Sequence, residues 1–149
     1  MRIYLACPFS DRPRAARVAS ILRGAGHEIT STWLSSPYES DRYIPMPQRP
    51  TWAETDLADV RRAELLIVLT ADAGTRHLGG ARHFEAGYAL ALRKRILVVG
   101  EREILFYWSS RLEYLPTVEA ALAAVDRDSR WERFIRGLGR LWSLWKGGA

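Results

Sequence analysis

The chain has 149 residues, 48% hydrophobic and 26% charged, which suits one globular domain and excludes a wholly disordered chain. A single cysteine, Cys7, excludes an intramolecular disulfide scaffold and a cysteine metal cluster, and no apolar run approaches the roughly 18 residues of a membrane span. The net charge of +5 is local: residues 127–149 carry six basic and two acidic side chains, whereas residues 1–126 carry 16 and 15, so the pI near 9.8 does not argue for a nucleic-acid polymer as partner.

In chain order, Arg2–Cys7 is rich in strand formers and stops at Pro8. The residues before Pro8 and Asp11 are too few for a signal peptide, and a soluble cytoplasmic protein is expected. Asp11 precedes a helix over Arg12–Ala25, with Ala15, Val18, Ala19 and Leu22 at helical spacing and Gly24 and Gly26 at its end. His27–Trp33 reads as a second strand. Leu34–Pro50 contains four prolines and no period, so it is a long loop of the kind that forms lids or binding segments. Thr51 or Thr55 caps the next helix, which runs to about Ala63. Glu64–Thr70 is apolar on both faces, as a central parallel strand requires.

Ala71–Gly80 is polar and contains glycine. Ala81–Leu92 is helical, Arg95–Val99 is another doubly buried strand, and Gly100 opens a further loop. Leu112–Leu115 reads as a short last strand, followed by a helix from Thr117 to about Val125. Alternating strands and helices with short turns predict an α/β fold, an open parallel sheet covered by helices. The ligand crevice of such a sheet lies outside the carboxyl ends of its strands.

Glu85 is the first chemical candidate, in Gly79-Gly80-Ala81-Arg82-His83-Phe84-Glu85. Two glycines allow close approach to the backbone, and a carboxylate near a helix start serves as nucleophile or as partner to developing positive charge. On spacing alone, a first-turn glutamate favoured by the helix dipole is the stronger reading. Tyr4 on the first strand reaches the crevice or packs in the core. Asp56 and Asp59 share one helix face, for which a solvated first turn is the plain reading. Asp72 follows the central strand, as a site carboxylate or a turn residue. His77 and His83 lack metal-ligand spacing, so no metal is expected. The dinucleotide, P-loop and Gly-x-Ser-x-Gly fingerprints are absent, and no cofactor is expected.

The series Ile3-Tyr4-Leu5-Ala6, Phe9-Ser10-Asp11-Arg12, Glu54-Thr55-Asp56-Leu57, Gly79-Gly80, Glu85-Ala86-Gly87-Tyr88-Ala89 and Ile96–Gly100 resembles the nucleoside 2-deoxyribosyltransferase family over roughly residues 2 to 110. The resemblance implies a flavodoxin-like five-stranded parallel sheet of order 2-1-3-4-5. It implies that Glu85 attacks the anomeric carbon of a 2-deoxyribosyl group, that Tyr4 orients this carboxylate, that Asp56 contacts the base and protonates its leaving nitrogen, and that Phe9 lies beside the base. The implied activity is transfer of deoxyribose between bases in a homodimer or larger homo-oligomer. Related nucleoside 5′-monophosphate N-glycosidases share the sheet and the glutamate, and a sensor that binds nucleotide without turnover is a third reading.

The family pattern is broken in two places. Arg82 and His83 stand where the family carries an acidic residue before the nucleophile. No asparagine exists to match the one a neighbouring subunit contributes, and Glu103-Ile104-Leu105-Phe106 occupies that region. Ser10, Arg12, Arg76, His77 and Arg82 are candidate partners for a 5′-phosphate. With Asp72, Gly79 and Gly80 these complete the expected substrate contacts.

The chain is expected to divide into a catalytic domain, 1–126, and a basic amphipathic helix, 127–149. In the latter Trp131, Phe134, Ile135, Leu138, Leu141, Trp142 and Trp145 form one apolar stripe. Packing on the body or on a second subunit is its first reading. Membrane-surface contact is the second.

Overall fold

A computed structural model describes residues 1–70 and 80–128. Five strands form one sheet: β1 (Arg2–Ala6), β2 (Glu28–Ile29), β3 (Leu65–Leu69), β4 (Arg95–Val99) and β5 (Glu113–Leu115). Their order is β2-β1-β3-β4-β5, and every pair is parallel. Among the described residues four helices flank the sheet: α1 (Arg12–Gly24), α2 (Arg49–Arg62), α3 (Ala81–Ala91) and α4 (118–128). This is the flavodoxin-like α/β fold expected from the sequence. Candidate residues Asp72, Arg76, His77 and Gly79, and the Trp-rich stripe from Trp131 onward, lie outside the described residues.

All five residues of β3, Leu-Leu-Ile-Val-Leu, are buried, as are the last four of β1 and of β4. Strands covered by helices on both faces have no polar side to alternate with, which is why these runs are continuously apolar. Ala15, Val18, Ala19 and Leu22 of α1 pack on this sheet, and the small alanines let the helix approach closely. Gly26 ends the α1 turn at a φ of +85°, a conformation that favours glycine.

Three local expectations need correction. The second strand is two residues long instead of seven. After Thr30 N–H bonds Ile3 O at 2.9 Å, side chains replace the ladder. Leu5 N–H donates to Ser31 Oγ at 2.6 Å, and Trp33 Nε1–H donates to Leu5 O at 2.9 Å. With both Leu5 backbone groups satisfied by side chains, the chain can leave the sheet without orphaned polar atoms.

Second, α2 begins at Arg49, and neither Thr51 nor Thr55 caps it: Thr55 Oγ1 lies inside the helix and donates to Thr51 O at 2.8 Å. Pro50 in the first turn supplies the helix-compatible φ. Third, Asp59 is no solvated first-turn residue. It is 3% exposed and accepts from Thr32 N–H at 2.9 Å, Thr32 Oγ1 at 2.7 Å and Arg62 Nη2 at 2.8 Å, tying α2 to the turn after β2. At the other end of the sheet, Thr117 Oγ1 accepts from Ala120 N–H and caps α4. No described helix is long and apolar enough to cross a membrane.

Candidate active site

Beyond the carboxyl end of β1 lies a cavity of about 780 Å³, large enough for a nucleotide-sized ligand. The β1–α1 turn contributes Cys7, Pro8, Phe9 and Ser10 to its wall. The irregular segment before α2 contributes Trp33, Glu39, Ser40, Arg42 and Ile44. α2 adds Arg49, Trp52, Ala53 and Asp56, which recur at i, i+3, i+4 and i+7 and so form one stripe about 10 Å long. α3 adds Ala81, Arg82 and Glu85.

The catalytic candidates converge at one end. Tyr4 has no exposed surface, and its hydroxyl donates to Glu85 Oε1 at 2.8 Å, joining β1 to α3 across 81 residues of sequence. Burial, then the charge of Glu85 and then that of Asp56 push the Tyr4 phenol well above its ordinary value, so it remains a donor. Asp56 is therefore in electrostatic reach of Tyr4, although it comes from α2.

Glu85 is the fifth residue of α3, and the first turn of that helix contains no acid. The plain first-turn reading of Glu85 therefore fails: its carboxylate is held by a buried phenol from a different element. Gly80 is the N-cap of α3, its carbonyl accepting from His83 N–H at 2.9 Å and Phe84 N–H at 3.0 Å.

Phe9 packs against the indole of Trp33 in a tilted arrangement, with ring centroids 5.6 Å apart and planes at 43°, and Trp52 lines the same cavity from α2. These rings form an apolar surface suited to a flat heterocycle. Arg12, a candidate phosphate partner, is engaged elsewhere. Its Nη1 donates to Ser36 O at 2.7 Å and Tyr38 O at 3.0 Å, and its guanidinium lies over Phe9 at 5.2 Å, so it pins the loop against the β1–α1 turn. Arg49 does the same from α2, donating to Ile44 O and Arg42 O at 3.0 and 3.1 Å. Two arginines thus hold four backbone carbonyls of the 36–44 segment in the cavity wall.

Arg82 lines the cavity but is 4% exposed, and its Nε and Nη2 each donate to a Glu103 carboxylate oxygen at 2.9 Å. Beside it, His83 Nδ1 and the Tyr107 hydroxyl are hydrogen-bonded at 2.8 Å. Burial, assisted by Arg82, lowers the His83 pKa despite the opposing carboxylate of Glu103. Burial raises that of Tyr107. Cys7 is pushed up to about 12, chiefly by burial and then by Asp11, which makes its thiol a poor nucleophile. Among the described residues no cluster of three or more His, Cys, Asp or Glu could hold a metal ion.

Of the candidates read from sequence, Glu85, Asp56, Phe9, Ser10 and Arg82 line one cavity, Tyr4 lies beneath it, and Gly80 starts the helix that carries the glutamate. Sequence reasoning missed Trp33, Trp52, Arg42 and Arg49, and it named Glu103 without giving it a partner. The α2 stripe was legible in principle, because Arg49 and Trp52 repeat at helical spacing from Asp56, but only with the helix start placed before Thr51.

No family model and no curated protein matches the chain. Among solved structures, it is similar to a CMP N-glycosidase of Clostridium botulinum, BcmB, at 16% identity and a TM-score of 0.57, over 85% of this chain and 98% of that one. It is also similar to a 2-deoxyribosyltransferase of Bacillus psychrosaccharolyticus, at 19% identity and a TM-score of 0.62, over 80% of this chain and 88% of that one. At such identities the likeness establishes a shared fold.

Proposed function

We propose that the protein is an enzyme of the nucleoside 2-deoxyribosyltransferase-like family that cleaves the N-glycosidic bond of a 2′-deoxynucleoside and transfers the deoxyribosyl group to another base. The observation that carries this reading is the 2.8 Å hydrogen bond from the buried Tyr4 hydroxyl to Glu85 at the wall of the cavity. A carboxylate anchored through one oxygen by a phenol that stays protonated is oriented, and its second oxygen is the attacking atom. That oxygen bonds C1′ as the C1′–N bond breaks, and the electron pair leaves with the base. Asp56 in its acid form gives the departing nitrogen a proton. A second base then attacks C1′ and releases Glu85, and its proton returns to Asp56. Phe9, Trp33 and Trp52 hold the heterocycle, and the missing 2′-hydroxyl eases formation of positive charge at C1′.

A second reading is hydrolysis of a nucleoside 5′-monophosphate, in which water replaces the acceptor base. Two cavity-lining arginines, Arg42 and Arg82, and the likeness to a CMP N-glycosidase over 98% of that chain favour it. The test is base release from a panel of deoxynucleosides and 5′-monophosphates, with and without acceptor base, read by chromatography. Transfer predicts product only with an acceptor; hydrolysis predicts free base from a monophosphate alone. Glu85→Ala is expected to abolish either, and a Glu85→Ala protein that still releases base ends the assignment. Saturable nucleotide binding without turnover of any substrate would leave the sensor reading.

A further inference from the structure

The two places where the sequence departs from the family pattern meet in the structure. Arg82, on the first turn of α3, and Glu103, 21 residues later in the segment after β4, pair through two parallel bonds of 2.9 Å. Both side chains are secluded, at 5% and 13% exposure. We propose that Glu103 is a positioning residue of the site: it clamps Arg82 in the cavity wall one helical turn from Glu85, so that the site presents a fixed guanidinium to an oxygen acceptor on the sugar half of the substrate. This rests on the reading of the cavity as an N-glycoside site.

Three observations support the inference. Arg82 and Glu85 are three apart on one helix, a spacing that puts their Cβ atoms roughly 5–6 Å from each other on one face, and both line the same cavity. The two-point contact through Nε and Nη2 fixes the plane of the guanidinium as well as its place, which a single bond would not do. The same segment ties α3 a second time, through the bond between His83 Nδ1 and the Tyr107 hydroxyl, with His83 Nε2 3.8 Å from Glu103. A buried ion pair contributes little net stability, because desolvation of both ions offsets their attraction. Its position in the cavity wall therefore speaks for orientation.

The acceptor is an oxygen of the sugar itself or of a 5′-phosphate, and the test separates the two. Wild type, Glu103→Gln, Glu103→Asp, Arg82→Gln and the double Arg82→Gln/Glu103→Gln variant are compared as full-length chains. KM and kcat are measured for a deoxynucleoside and for its 5′-monophosphate, and Kd is measured by quenching of tryptophan fluorescence, since Trp33 and Trp52 line the cavity. Glu103→Gln is expected to raise KM at least about tenfold with kcat within about threefold of wild type, and Glu103→Asp to restore part of the loss.

The double variant is expected to be no worse than Arg82→Gln alone, because Glu103 acts through Arg82. An effect confined to the monophosphate identifies the phosphate; an equal effect on both substrates identifies the sugar. Losses that multiply in the double variant, or an unchanged KM and Kd in folded Glu103→Gln, overturn the proposal. Wild type that binds nucleotide but releases no base refutes the enzymatic reading and leaves the cycle readable through Kd. Wild type that does neither overturns both.

Discussion

Replacing Tyr4 with phenylalanine removes one oxygen from a fully buried ring and leaves the packing volume almost unchanged. The lost bond is charge-assisted, since the 2.8 Å contact runs from a phenol held protonated to a carboxylate. Hydrogen bonds to charged groups contribute about 1.5–3 kcal/mol. If Glu85 reacts from the anchored geometry, the same free energy is lost from the transition state, and kcat/KM falls roughly 10- to 150-fold. The loss belongs mainly in kcat, because the phenol lies beneath the cavity and is absent from its lining. The assay is base release by chromatography, alongside thermal unfolding to show that Tyr4→Phe still folds. A folded Tyr4→Phe protein with kcat/KM within about twofold of wild type would refute the orienting role of the phenol, and with it the main geometric support for Glu85 as nucleophile.

Other substitutions probe the frame around the site. With its thiol pushed from 9.0 to about 12, native Cys7 is expected to react with iodoacetamide at pH 8 about a thousandfold more slowly than the urea-unfolded chain, and to speed up about tenfold per pH unit as the thiolate fraction grows; near-equal rates would contradict its burial. Asp59→Ala is expected to cost about 2–3 kcal/mol in urea unfolding, because Thr32 N–H and Oγ1 lose their acceptor; the pairing with the half-exposed Arg62 adds little. Gly26→Ala is expected to cost about 1 kcal/mol in the same measurement: its φ of +85° strains any side chain, even though a Cβ there would meet nothing within 4 Å. An unchanged midpoint in either variant would refute the corresponding assignment.

The limits of sequence reading show most clearly at β2. His27–Trp33 has strand composition, yet only Glu28–Ile29 pairs, because Ser31 and Trp33 satisfy Leu5 with side chains instead of main chain. Composition cannot separate these outcomes, since both use the same residues and both satisfy every backbone group. The loop that follows was legible as irregular from its prolines. Its packing was not, because it depends on Arg12 and Arg49 reaching backbone carbonyls contributed by other turns.

The sheet itself was written in the one-dimensional pattern. Leu65–Leu69 and Ile96–Val99 are apolar on both faces, a requirement for central parallel strands that holds wherever the rest of the chain goes. The helices between them followed from spacing, and the resemblance supplied the strand order. What tertiary structure alone decided is which charged groups meet. By spacing, Glu85 was an ordinary helix glutamate and Tyr4 a packing residue, and only the crossing of α3 over the end of β1 brings their oxygens to 2.8 Å. Arg82 and Glu103, two separate departures in sequence, became one ion pair when the segment after β4 folded against α3. Burial patterns repeat along the chain and can be read from it, whereas a hydrogen bond between residues 81 positions apart exists only once the sheet has closed the distance.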